Sequence, residues 1–203
     1  MFIKNTQVYG LKESIIRSGY PMSLDADTVE TEGVEITEQD INRAKRLAQV
    51  KTGTGHDCFL KGIIVQADIT APQYWWLQFE RYHFWDTISS MSTMHRIDHM
   101  DISKQCNQWV DERVIEVLKE KVEAYNEAVK ACLPKEVRQL AFQEVISNVP
   151  EGLMLTKGIY TNYLQLKTIY FQRKGHKLKE WEIFNDWVIC LPMFADLIFK
   201  YEE

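Results

Sequence analysis

Between residues 78 and 96 the chain concentrates side chains that could handle an anion or a flat ring. Gln78, Arg81, Tyr82, His83, Phe84 and Trp85 are followed by Ser89, Ser90, Ser92, Thr93, His95 and Arg96. A guanidinium offers a planar fork of donors, imidazoles and hydroxyls add further hydrogen bonds, and aromatic faces stack on a heterocycle. Gathered within about five helical turns, that mixture suits a planar anionic ligand better than a plain apolar core. Gln78 and Arg81 stand at i and i+3, so on a helix they share one face.

Other constellations fare less well. His95, Asp98, His99 and Asp101 invite a metal reading, because histidines at i and i+4 of a helix point the same way. Arg96 beside them would repel a cation and no further ligand is indicated, so no metal is expected. His56-Asp57 resembles the His-Asp pair of metal-dependent phosphohydrolases, but that arrangement needs an earlier histidine and none precedes His56. No glycine-rich phosphate loop and no Ser/His/Asp arrangement is present. Cys58, Cys106, Cys132 and Cys190 are too scattered to suggest a metal knuckle or a disulfide framework.

The elements that must carry these residues follow from length and pattern. At 203 residues, 45% hydrophobic and 26% charged, the chain suits a single domain over 1–203. A net charge of −5 argues against a nucleic-acid coat. Apolar runs such as Ile63-Ile64-Val65 fall short of a bilayer span, and no basic leader precedes an apolar stretch, so a soluble, cytoplasmic protein is expected. Residues 1–10 alternate weakly up to Gly10, and 11–18 read as a helix stopped by Gly19 and Pro21. Acidic residues 23–35 read as an exposed loop. Thr37-Glu38-Gln39-Asp40 resembles a capping box that opens a helix through Ile41, Ala44, Leu47 and Ala48. Residues 58–70 read as a strand bent at Gly62, and Pro72 suits the first turn of a helix over 74–82. Beyond Asp101 the pattern is helical: a stripe of Val110, Val114, Val117, Leu118, Val122 and Tyr125 up to Pro134, then helices over 136–146, 157–173 and 179–200, the last broken at Pro192. The class is α+β, with a small sheet from the N-terminal half packed against a helix-rich C-terminal half. Tyr74, Trp75, Trp76, Phe84 and Trp85 read as core or subunit interface.

Three segments resemble the flavin-dependent thymidylate synthases. Gly55-His56-Asp57, then a strand, then Gln78-x-x-Arg81 is similar to that family's Gly-His-Glu leading to Gln-x-x-Arg-His-Arg. The Ser/Met-rich stretch after Asp86 resembles Ser-x-Asn-Glu-x-Ser-x-Arg. Val149-Pro150, Asn162, Arg173 and Trp181-Glu182-Ile183 are similar to Leu-Pro, Asn-x-Arg-Ser, an arginine eleven residues after that asparagine, and Ala-Gln-Trp-Glu-Ile. The resemblance implies methylation of dUMP from methylenetetrahydrofolate, with FAD, with NADPH as reductant, and with a homotetramer whose active sites are shared between chains. It further implies that His56, Arg81, Tyr82, His83, Asn162 and Arg173 hold FAD while Gln78 and Ser92 approach the pyrimidine.

The departures are informative. Tyr82 and His83 follow Arg81 where the family has His-Arg, and the family's phosphate-binding arginine after the serine becomes Met94. The arginine before Leu-Pro becomes Ile146, and that of Asn-x-Arg becomes Leu164. A charge-assisted bond to phosphate contributes roughly 1.5–3 kcal/mol, so three such losses would weaken nucleotide binding by orders of magnitude. Two readings follow: a thymidylate synthase-like methyltransferase with an altered phosphate site, or a non-catalytic or repurposed nucleotide- or flavin-binding protein on the same scaffold.

Overall fold

The computed structural model of the chain describes residues 1–24 and 33–200. Most of the acidic stretch expected to form an exposed loop lies outside the described residues. Among the described residues the α-helices and strands are, in order, β1 (Phe2–Tyr9), α1 (Leu11–Arg17), α2 (Glu38–Ala48), β2 (Ile64–Pro72), α3 (Gln73–Phe79), β3 (Trp85–Ser90), α4 (Thr93–Arg96), α5 (Ile102–Gln105), α6 (Glu112–Lys130), α7 (Lys135–Ser147), β4 (Met154–Asn162), α8 (Tyr163–Arg173), α9 (Lys179–Ile189) and α10 (Phe194–Ile198). The strands form one sheet in the order β1-β2-β4-β3, so the class is α+β as expected. The fourth strand comes from the C-terminal half.

Several local expectations need correction. Residues 157–173 are strand and then helix. Thr156, Ile159, Tyr160 and Thr161 favour extended backbone, Thr156 Oγ1 meets Thr70 Oγ1 across the ladder at 2.7 Å, and Asn162 opens α8 by accepting the Gln165 N–H at 2.9 Å. Residues 58–62 are a 3₁₀ turn, because the chain presses on α1 there: a Cβ on Gly62 would run into Ser14 Oγ. Pro72 ends β2 in extended backbone (φ −69°, ψ 155°) rather than starting a helical turn. Residues 78–96 are not one continuous helix, since α3 stops at Phe79 and β3 intervenes. In α6 the buried stripe is Leu118, Val122 and Ala128, Val110 precedes the helix, and Val114 and Val117 are exposed. The break at Pro192 stands, between α9 and α10.

The described residues group into two compact units. The first comprises Thr70–Arg81 and Ser89–Lys157. Its helical part is the hairpin of α6 and α7 around Ile97, Ile102, Leu118, Val122 and Val145. Elsewhere in this unit Trp75 stacks on Phe79 at 4.8 Å, and Trp76 donates its indole N–H to Leu155 O at 3.2 Å. Trp75 and Trp76 are thus core.

The second unit comprises the described residues of 2–69, Tyr82–Ile88 and 158–200. The expected capping box is present: Thr37 Oγ1 accepts the Asp40 N–H at 3.2 Å and Asp40 Oδ2 accepts the Thr37 N–H at 3.0 Å. The Thr37 hydroxyl also donates to Asp40 Oδ2 at 2.6 Å; that bond and then the one from the Thr37 N–H, with a smaller contribution from Arg43, hold the Asp40 carboxyl below its usual range. Arg43 then reaches α1, donating to Ser18 Oγ at 3.1 Å and Ile15 O at 3.2 Å. A second cation is buried outright. Lys167 of α8 is 3% exposed and donates to Ala48 O (2.7 Å), Val50 O (2.8 Å) and Asp57 Oδ2 (2.7 Å). All three ammonium protons are satisfied, and the end of α2 and the turn after His56 are tied to α8.

Removing one member of a buried ion pair strands the other charge and costs about 3–5 kcal/mol. K167M should therefore lower the thermal midpoint by roughly 10 °C, given about 2–4 °C per kcal/mol at this chain length. D57N combined with K167M should recover part of the loss. A K167M midpoint within a degree of the parent would refute this role.

Candidate functional site

Arg173 closes α8, where the backbone can no longer continue its hydrogen-bond ladder and the side chain swings over the next helix. Its Nε donates to Tyr82 Oη at 2.7 Å. The guanidinium lies 4.5 Å over the Trp181 ring and 5.6 Å from the Tyr82 ring, and the two rings meet edge-on at 6.3 Å. Cation–π attraction and the Nε bond fix the plane of the fork, and its terminal nitrogens make no hydrogen bond among the described residues. A preorganised fork of this kind takes a carbonyl, carboxylate or phosphate oxygen at little entropic cost.

Tyr82 reaches Arg173 because the next turn of chain is clamped. Phe84 N–H donates to Gln165 Oε1 at 3.3 Å and Thr161 Oγ1 donates to Phe84 O at 2.9 Å, from a glutamine and a threonine that are both buried. His83, just before these anchors, is exposed. His176 stands 6.1 Å from Trp181, and its Nδ1 accepts the Leu178 N–H at 3.1 Å, which puts the proton of the neutral ring on Nε2. Burial first, then Arg173 and Lys177, push its pKa below the ordinary 6.5.

The other expected residues divide between the units. Asn162 lies at the opposite end of α8 from Arg173, about 16 Å away along the axis at 1.5 Å per residue. The two therefore suit different parts of an extended ligand. Asn162 Oδ1 is committed to the helix cap, which leaves Nδ2 as its donor. His56 is exposed in a glycine-flanked turn where Gly55 takes φ +84°. In the first unit, Gln78 is half-buried on α3 and Arg81 exposed just beyond it, while Ser92 precedes α4 without making a capping bond. His95 and His99 fall on separate short helices, so the shared face that a metal reading needs is not formed. Among the described residues no three His, Cys, Asp or Glu side chains converge on a metal position, and no helix is long and apolar enough to cross a membrane.

Two contributors escaped the sequence reading. Trp181 stood there only as part of a motif; its role as the platform for Arg173 depends on the turn at Gly175, which folds α9 back. Lys167 offered a clearer signal, because a lysine flanked by Leu166 and Ile169 in an apolar helix needs a buried acceptor.

No family model matches the chain, and no curated protein matches it in sequence. Solved structures do match. The chain is similar to flavin-dependent thymidylate synthase ThyX from Helicobacter pylori complexed with FAD and dUMP, at a TM-score of 0.65 and 12% identity, over 98% of this chain and 100% of that one. A second structure of the Helicobacter pylori enzyme with FAD and dUMP matches at a TM-score of 0.64 and 12% identity, over 98% of each chain. The UMP/dUMP methylase PolB from Streptomyces cacaoi, bound with 5-Br dUMP, matches at 0.57 and 11% identity, over 97% of this chain and 92% of that one. With strands, helices and chain order aligned over nearly its whole length, the chain has the fold of the flavin-dependent thymidylate synthases.

Proposed function

We propose that this single-domain chain binds FAD and a uracil nucleotide, and methylates dUMP from methylenetetrahydrofolate with NADPH as reductant, as a cytoplasmic homotetramer. The observation that supports this most is the Arg173 fork, held flat by Tyr82 and Trp181, with its terminal N–H groups meeting no acceptor among the described residues. Those groups fit an electron-rich ring edge or a phosphate oxygen. Asn162 Nδ2 fits a carbonyl on a more distant part of the same cofactor, and His56, Arg81, Tyr82 and His83 are the further FAD candidates. Gln78 and Ser92 are the candidates for the pyrimidine. FAD would supply the electron transfer and carry the one-carbon unit; the chain's side chains bind, orient and exclude water.

A second reading draws on the apolar replacements. Ile146 packs against the Ile97, Leu118 and Val145 core of the first unit, so no cation is available from that position. Apolar groups where a nucleotide phosphate would need guanidinium favour a less charged ligand, and a repurposed nucleotide- or flavin-binding protein follows. Thermal shift separates the two readings, because ligand binding to the folded chain raises its midpoint. Stabilisation by dUMP with FAD and none by deoxyuridine supports the methyltransferase; the reverse supports the repurposed binder.

The purified protein should carry, or take up, the visible absorption of oxidised flavin. R173Q should weaken FAD uptake by about ten- to hundredfold, the worth of a charge-assisted bond. Colourless protein that takes up no added FAD defeats the proposal. The same fork has a pH signature. His176 should titrate below 6.5 by NMR and move upward in R173Q. Because its folded pKa is depressed, the unfolded chain binds the extra proton first. His176 therefore costs no stability above pH 6.5 and reduces it as pH falls from there through the folded value.

A further inference from the structure

The first unit carries a charged cavity that the Arg173 site leaves unexplained. It opens on the hairpin of α6 and α7, has a volume of about 580 Å³, and is lined by Tyr125, Lys135, Arg138, Gln139, Phe142 and Gln143. That volume is in the range of small-molecule sites.

Arg138 sits one turn into α7. Its Nε–H is shut off from solvent and has no hydrogen-bond acceptor. A buried donor on a charged group is costly to leave unmade. Lys135, three residues before Arg138 and thus on the same face of α7, brings a second positive charge, and no carboxylate among the described residues lines the cavity. The opposite character lies alongside. Tyr125 from α6 and Phe142 from α7 pack with ring centroids 5.1 Å apart and an interplanar angle of 54°, forming an apolar corner within the lining. Gln139 and Gln143 add amide groups that can donate or accept.

We propose that this cavity binds a small molecule carrying an oxyanion on a flat ring, the anion on Arg138 and Lys135 and the ring in the corner of Tyr125 and Phe142. A bare anion would leave the aromatic corner wet, and an uncharged ring would leave the Arg138 donor unmet. A phosphate and a carboxylate offer the same planar acceptor edge to a guanidinium.

The test is calorimetric titration of the full chain with phenyl phosphate, benzoate, inorganic phosphate and benzamide. Either aromatic anion should bind at least tenfold more tightly than inorganic phosphate or benzamide, and the tighter of the two names the anion. R138Q and K135Q should each weaken that binding by about tenfold or more while FAD uptake stays unchanged, which separates this site from the one at Arg173. K135Q alters an exposed side chain and covers the case in which R138Q fails to fold. Equal affinity for phenyl phosphate and inorganic phosphate, no binding by any probe, or unchanged affinity in K135Q overturns the proposal.

Discussion

Lys167 is an ammonium group almost wholly removed from water, and the second unit is arranged to satisfy it. Two backbone carbonyls at the end of α2 and one carboxylate from the turn after His56 surround it. In that environment attraction to Asp57 is only partly screened, but the desolvation of two ions is also large, so the pair is valuable chiefly because neither member can be left alone. The consequence is positional. One side chain from the middle of α8 fixes the glycine-rich turn that carries His56, and α8 itself carries Asn162 at its start and Arg173 at its end. Three candidate ligand contacts thereby share one rigid reference, which a site on independent loops would lack.

At the far end of α8 the same chemistry runs in reverse. Arg173 is charged and keeps its terminal donors available, while its flat face and its Nε are committed to Trp181 and Tyr82. Only a guanidinium can divide itself in this way; a lysine would have no plane to stack and no second edge to offer. His176 nearby is held toward its neutral form by burial and then by Arg173 and Lys177, so it adds no positive charge of its own in the neutral range. An anionic or electron-rich group entering there meets one oriented cation.

What the sequence revealed depended on whether the deciding interaction was local. The Thr37–Asp40 box, the Gly10 stop and the Pro192 break all rest on neighbours within a few residues, and all three are where the pattern indicated. Residues 157–162 were misread as helix because their strand state is decided by partners on β2, as with Thr70 against Thr156, far away in sequence. The 3₁₀ turn at 58–62 was hidden for the same reason, since the contact with Ser14 is what excludes a Cβ at Gly62. Among site residues, Tyr82 stood out by type in the 78–96 cluster, and Arg173 only through the resemblance to the flavin-dependent thymidylate synthases. Their mutual bond could not be read, because it spans ninety-one positions.

The apolar residues at three positions where the resembling enzymes use arginine are not equivalent in what they imply. Met94 is 56% exposed, so a cation there would meet little steric or dielectric resistance. Ile146 is different. It packs on the first unit's core beside Val145 and Leu118, and each of its buried methylenes contributes about 0.8 kcal/mol to that unit. Returning an arginine to position 146 would lose that burial and place a charge against apolar neighbours. The change at Ile146 is therefore bound into the folding of the first unit, whereas the change at Met94 concerns the surface alone. A ligand matched to this chain is one whose anion does not depend on position 146, and in the second unit Arg173 is an oriented cation that keeps terminal donors for it.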